Sequence, residues 1–226
     1  MSPAPIPAAQ QACRDEIVRV GASLFLRGYA HSTAGNISLR LDEAQGGGFL
    51  ITPTDACLGH LDPAALAWVS NDGQQLAGDR ASKTLALHRR IYEAAPQTRC
   101  VLHTHSTHLV ALSLQGVWTA QDILPPITPY QAMKVGHVPH VAYRVPGDAA
   151  VADEVAGLIT QAERPLHAVM LERLGPVVWH QSPAQAMALL EELEETARLW
   201  LMCSPRPAPL SDARLDELRQ RFNALW

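Results

Sequence analysis

The chain has 226 residues, 47% of them apolar and 18% charged, with a formal net charge of −4. That length suits one substantial domain, and the charge gives no basic footprint for nucleic acid or an anionic membrane. No apolar run approaches the ~18 residues that span a bilayer.

The first eight residues are proline-rich and lack the charged and apolar regions of a signal peptide, so they are expected to be flexible. Cys13, Cys57, Cys100 and Cys203 lie far apart with no CxxC pair, which fits free thiols in a reducing cytoplasm. Ile17, Val20 and Leu24 fall at helical spacing and predict an amphipathic helix over 10–27, closed by Gly28. The segment His31-Ser-Thr-Ala-Gly-Asn-Ile-Ser38 is small and polar and runs into the alternating stretch 37–41, a strand. Gly35 there can take positive φ and let backbone approach a ligand, although a plain turn has the same composition. Strands are expected at 49–52, 66–70 and 74–76, which together make an antiparallel meander.

Ser82 is the expected N-cap of a helix carrying Leu85, Leu87, His88, Ile91 and Tyr92, stopped by Pro96. Lys83 would then sit at a helix N-terminus, where the dipole disfavours a cation unless an anion is near. Next comes Cys100-Val-Leu-His-Thr-His-Ser-Thr-His108, a strand ending in two histidines. Residues two apart on a strand share a face, so His103 and His105 can present paired imidazoles to a metal; a catalytic zinc takes three protein ligands and keeps one position open. Ser106 is the expected cap of a helix over 108–114. Residues 117–143 look loop-like and proline-rich, a length of irregular chain that often carries function. A helix over 150–160, a hairpin of 167–171 with 175–179, a long helix from Ser182-Pro183 to about 202 and a last helix over 212–225 follow. The acidic run Glu191-Glu-Leu-Glu-Glu195 is expected to be a solvated face.

Five segments resemble the class II aldolase/adducin family in order: Thr33-Ala-Gly-Asn-Ile-Ser38, Leu50-Ile-Thr-Pro-Thr54, the Ser82…His88 helix start, His103-Thr-His105 and Leu171…Gly175-Pro176. The resemblance implies an α/β fold, a three-layer α/β/α arrangement around a central, mostly antiparallel sheet, in one domain over 1–226. It implies a homotetramer with active sites between subunits and one Zn2+, or another divalent metal, per subunit. Within the family the wording is most similar to the branch that decarboxylates 3-oxo-tetronate 4-phosphates in four-carbon sugar-acid catabolism. The alternatives are a sugar-phosphate aldolase or 4-epimerase, as in L-fuculose-phosphate aldolases, or a non-catalytic adducin-like binding protein. Carried over by position, Thr33, Gly35, Asn36, Thr54 and Ser82 match phosphate contacts, and His103 and His105 match two metal ligands.

Two positions depart from the aldolase pattern. Thr84 stands where aldolases carry an acid/base glutamate, with Lys83 before it. Leu174 stands where the third metal histidine lies, which leaves His108, His137, His140, His167 and Glu172 open as replacements. Loss of CO2 from a β-keto acid needs no base, so Lys83 and Thr84 are the expected catalytic positions of a decarboxylase.

Overall fold

The structure is a computed structural model that describes residues 7–226. Of the expected flexible stretch, residues 1–6 lie outside the described residues, while Ala8–Gln10 form a 3-10 turn leading into the first helix. Among the described residues, eight strands form one sheet: β1 (Asn36–Arg40), β2 (Phe49–Ile51), β3 (Ala67–Val69), β4 (Gln75–Ala77), β5 (Cys100–His103), β6 (His140–Val141), β7 (Ala168–Leu171) and β8 (Gly175–His180). Their order is β4-β3-β2-β1-β5-β8-β7-β6, antiparallel throughout except that β6 runs parallel to β7. The α-helices of the described residues flank it: α1 (Gln11–Leu26), α2 (Leu85–Ala94), α3 (Thr107–Gln115), α4 (Ala149–Gln161), α5 (Pro183–Met202) and α6 (Asp212–Phe222).

The layering follows from side-chain alternation. Leu50, Leu102 and Val178 point to one face and pack with Ile17 and Leu24 of α1, Leu109 of α3 and Leu189 of α5. Their strand neighbours Ile51, Val101 and Trp179 point to the other and pack with Ile91 of α2 and Val155 of α4. Both faces are apolar because both are covered, so the central strands read as continuous hydrophobic runs. The expected three-layer α/β/α architecture is therefore present. Among the described residues no helix is long and apolar enough to cross a membrane.

Four local expectations need correction. Helix α2 begins at Leu85 with Thr84 in the cap position, because Ser82 turns back to bond Thr84 Oγ1 at 3.0 Å. Ser106 precedes α3 but its hydroxyl is used elsewhere, on Thr104 Oγ1 at 2.6 Å and the Tyr29 carbonyl at 3.2 Å. The helix is capped instead by Glu194 of α5, whose carboxylate accepts from the amides of His108 at 2.9 Å and Leu109 at 3.0 Å. Glu194 is thus buried, not part of a solvated acidic face. The 117–143 segment is also more ordered than its prolines suggest: Gln131–Val135 form a π-helical turn, and His140–Val141 enter the sheet as β6.

Candidate active site at one edge of the sheet

Antiparallel pairing brings the functional segments to one edge of the sheet. Strand β1 starts there, β2 and β5 end there, and β8 starts beside them, with Asn36 directly opposite His103 and His103 opposite Val177. The loops at this edge enclose a cleft lined by the residues expected to act in catalysis, phosphate binding and metal binding: Thr33, Gly35, Asn36, Thr54, Ser82, Lys83, Thr84, His103 and His105. Residues spread over 73 positions of sequence thus meet because the sheet alternates direction.

Backbone detail holds these loops in place. Gly35 has φ +93°, and a Cβ there would lie 2.7 Å from the His103 carbonyl oxygen, so only glycine lets the small-residue loop close on the histidine segment. The Thr52 hydroxyl accepts from the Ile37 amide at 3.1 Å, and the Thr52 carbonyl accepts from the Ser82 amide at 3.2 Å. Three loops that each offer hydroxyls or amides are therefore stitched to one another. The Pro53–Ala81 bridge adds to this.

Burial, and next the neighbouring His105, push the His103 pKa down to about 4; burial and then His31 lower that of His105. Both rings are neutral at physiological pH and keep a lone pair. His103 Nδ1 donates to the Pro176 carbonyl at 2.9 Å, which leaves Nε2 as the lone-pair nitrogen. The two ring centroids are 5.0 Å apart. Two neutral imidazoles side by side could hold a metal ion, but they are a pair only: among the described residues no three His, Cys, Asp or Glu side chains cluster closely enough to hold an ion. Leu174, at the third histidine's position, lines the cleft with an apolar side chain.

The open candidates for a third ligand are placed elsewhere or engaged. His108 Nδ1 bonds Glu194 at 2.8 Å, His137 Nδ1 bonds Asp122 at 2.9 Å, and His167 stacks on His180 with centroids 4.9 Å apart. His140 lines a different cavity. Glu172 lines the cleft, but its Oε2 accepts from the Tyr143 amide at 2.9 Å. A further imidazole, His31, stands edge-on to His105 with centroids 6.4 Å apart; only its place ahead of the small-residue loop hinted at this.

The sequence patterns also did not mark the far wall, residues 141–148, where Arg144 lines the cleft. The Val145-Pro-Gly-Asp148 turn was the available signal: Asp148 caps α4 through Ala150 and thereby sets the wall's position. Lys83 stands at the mouth with its side chain 61% exposed, 3.6 Å from the Asp55 carboxylate.

The profile of the Class II Aldolase and Adducin N-terminal domain matches residues 15–201. The chain belongs to the class II aldolase and adducin family. It is 56% identical over 218 residues to the 3-oxo-tetronate 4-phosphate decarboxylase of Cupriavidus necator, covering 94% of this chain and 97% of that protein. It is 42% identical to the enzyme of the same name from Escherichia coli, covering 93% and 96%. Among solved structures, YgbL of Escherichia coli superposes with a TM-score of 0.86 at 40% identity, over 93% of this chain and 99% of the other. An L-fuculose 1-phosphate aldolase superposes with a TM-score of 0.76 at 20% identity, over 93% and 95%, which supports the fold alone. The family is generally dependent on a divalent metal.

Proposed function

We propose that this protein is a carboxy-lyase that converts a 3-oxo-tetronate 4-phosphate to dihydroxyacetone phosphate and CO2. One observation carries this: near-complete coverage at 56% identity with a decarboxylase of that name. The carboxylates of the cleft support it. Asp55 is paired with Lys83, Asp148 caps α4, and Glu172 is held by the Tyr143 amide. With Thr84 at the aldolase glutamate position, no carboxylate is left as an obvious acid/base, and decarboxylation needs none. The C1–C2 bond breaks, its electron pair passes into an enediolate, and a proton returns to C2.

The chain's own residues divide the work. Asn36, the Thr33–Gly35 backbone, Thr54 and Ser82 hold the phosphate, with the small loop offering amides as a nest. His103 and His105 face the 3-oxo end. A divalent ion on this pair, which we take to be one zinc per subunit, would supply electrophilic stabilisation of the developing oxygen charge. Lys83 orients the carboxylate at the mouth or returns the proton to C2, and the Thr84 hydroxyl lies beside it. The reading includes one catalytic domain, a cytoplasmic location and a homotetramer with intersubunit sites, which would let a neighbouring subunit complete the open donor set.

Parallel assays test the choice within the family. Incubation with 3-oxo-tetronate 4-phosphate should give dihydroxyacetone phosphate, while L-fuculose 1-phosphate should remain unchanged. Release of an aldehyde from the latter, at a comparable kcat/KM, would assign an aldolase instead.

A further inference from the structure

Behind the cleft floor Asn36 continues into a chain of three polar side chains that the chemistry above does not use. Asn36 and Ser38 are two apart on β1 and share its α2-facing side; His88 and Tyr92 are four apart on α2 and share its sheet-facing side. They meet as a line: Asn36 Oδ1 to His88 Nε2 at 2.6 Å, His88 Nδ1 to Ser38 Oγ at 2.7 Å, and Ser38 Oγ to Tyr92 Oη at 2.7 Å. All four are buried, Ser38 and His88 completely.

A line of neutral groups of this kind has two self-consistent proton arrangements. In one, Tyr92 donates to Ser38, Ser38 donates to His88 Nδ1, and His88 Nε2–H donates to Asn36 Oδ1. In the other, every donor is reversed: the Asn36 amide is flipped and gives its N–H to His88 Nε2, and Tyr92 donates outward to the Arg99 carbonyl. The two differ in what the cleft meets. The first presents the Asn36 NH2 group, two donors; the second presents a carbonyl oxygen, which repels a phosphate. The outward bond of the second arrangement is long, 3.3 Å from Tyr92 Oη to Arg99 O. The bond that fixes the first, at 2.6 Å, is short.

We propose that His88 is a positioning residue for the phosphate site: held by Ser38 as the Nε2–H tautomer, it pins the Asn36 amide with its nitrogen facing the cleft. This rests on the reading of the substrate as a phosphate ester. An unsupported asparagine amide rotates at little cost and would present the wrong atom part of the time. Burial keeps His88 neutral, its pKa pushed down to about 3, so one tautomer persists over the working pH range.

The experiment uses the full-length protein with 15N-labelled histidine. The NMR pattern of His88 should be that of an Nε2–H imidazole, with or without inorganic phosphate. An Nδ1–H pattern overturns the proposal. Two variants read the consequence. His88→Gln keeps an amide nitrogen near the Nε2 position, and His88→Asn reaches only the Nδ1 position. The Kd for inorganic phosphate should rise about tenfold or more in His88→Asn and stay within about threefold in His88→Gln, with kcat at saturation little changed in both. Equal phosphate affinity in the two variants contradicts the proposal. Failure of the wild type to bind phosphate contradicts the substrate reading instead, while the tautomer still decides the orientation of Asn36.

Discussion

Thr84 occupies the position where an aldolase has a carboxylate beside its metal, and Lys83 precedes it at the cleft mouth. In the proposed reaction this lysine would supply a charge for the substrate carboxylate or a proton for C2. Replacing Lys83 with alanine should lower kcat by about 100-fold or more and change KM by less than about threefold, as expected for a group acting after binding. Unchanged turnover in steady-state assays would remove Lys83 from the chemistry. The buried histidines give a second residue-scale expectation. Burial pushes the pKa of His88 down to about 3 and that of His103 down to about 4, from the ordinary 6.5. Between these values the unfolded chain binds more protons than the native one, so stability falls as the pH drops through that range, by up to ~1.4 kcal/mol per pH unit for each group, and is unaffected by them above about pH 7. Urea midpoints measured from pH 8 to pH 4.5 should show that loss, and the slope should flatten in His88→Gln. A midpoint independent of pH would show that these rings are not held neutral.

At the scale of elements, the junction between β5 and α3 carries the His103–His105 pair, and its N-terminal cap comes from 86 positions away. Glu194 accepts two amides at the α3 N-terminus and the His108 ring as well. Glu194→Ala strips the cap from buried amides and should cost about 2–4 kcal/mol, read as a fall in the urea midpoint at constant m. A loss below about 0.5 kcal/mol would mean that Ser106 or water takes over the cap. The same junction shows what sequence can and cannot express. The strand, the helix and the histidine pair were legible, because period and spacing are local properties. The cap was not, since a serine before a helix and a glutamate in an acidic run each carry a simpler local meaning. The 131–135 π-helical turn and β6 were hidden in the same way. Their order depends on what packs over them, not on their own prolines and glycines.

For the whole molecule, the alternating directions of the strands turn scattered motifs into one cleft, and every phosphate or metal position carried over by resemblance lines it. What resemblance did not reach was the far wall with Arg144, and the proximity of His31 to His105, because both depend on loop paths that carry no periodic pattern. Among the described residues the proposed donor set stops at two imidazoles, so metal binding is a sharp test at this scale. Elemental analysis of the purified protein should find about one divalent ion per chain, absent after His103→Ala, and light scattering should give four subunits. A metal-free protein that remains active would place the whole of the electrophilic stabilisation on side chains. The most direct measurement is the fate of carbon 1. With 3-oxo-tetronate 4-phosphate labelled at C1, the account predicts labelled CO2 and unlabelled dihydroxyacetone phosphate in a one-to-one ratio. Label retained in a four-carbon product, or recovered in an aldehyde, would contradict it.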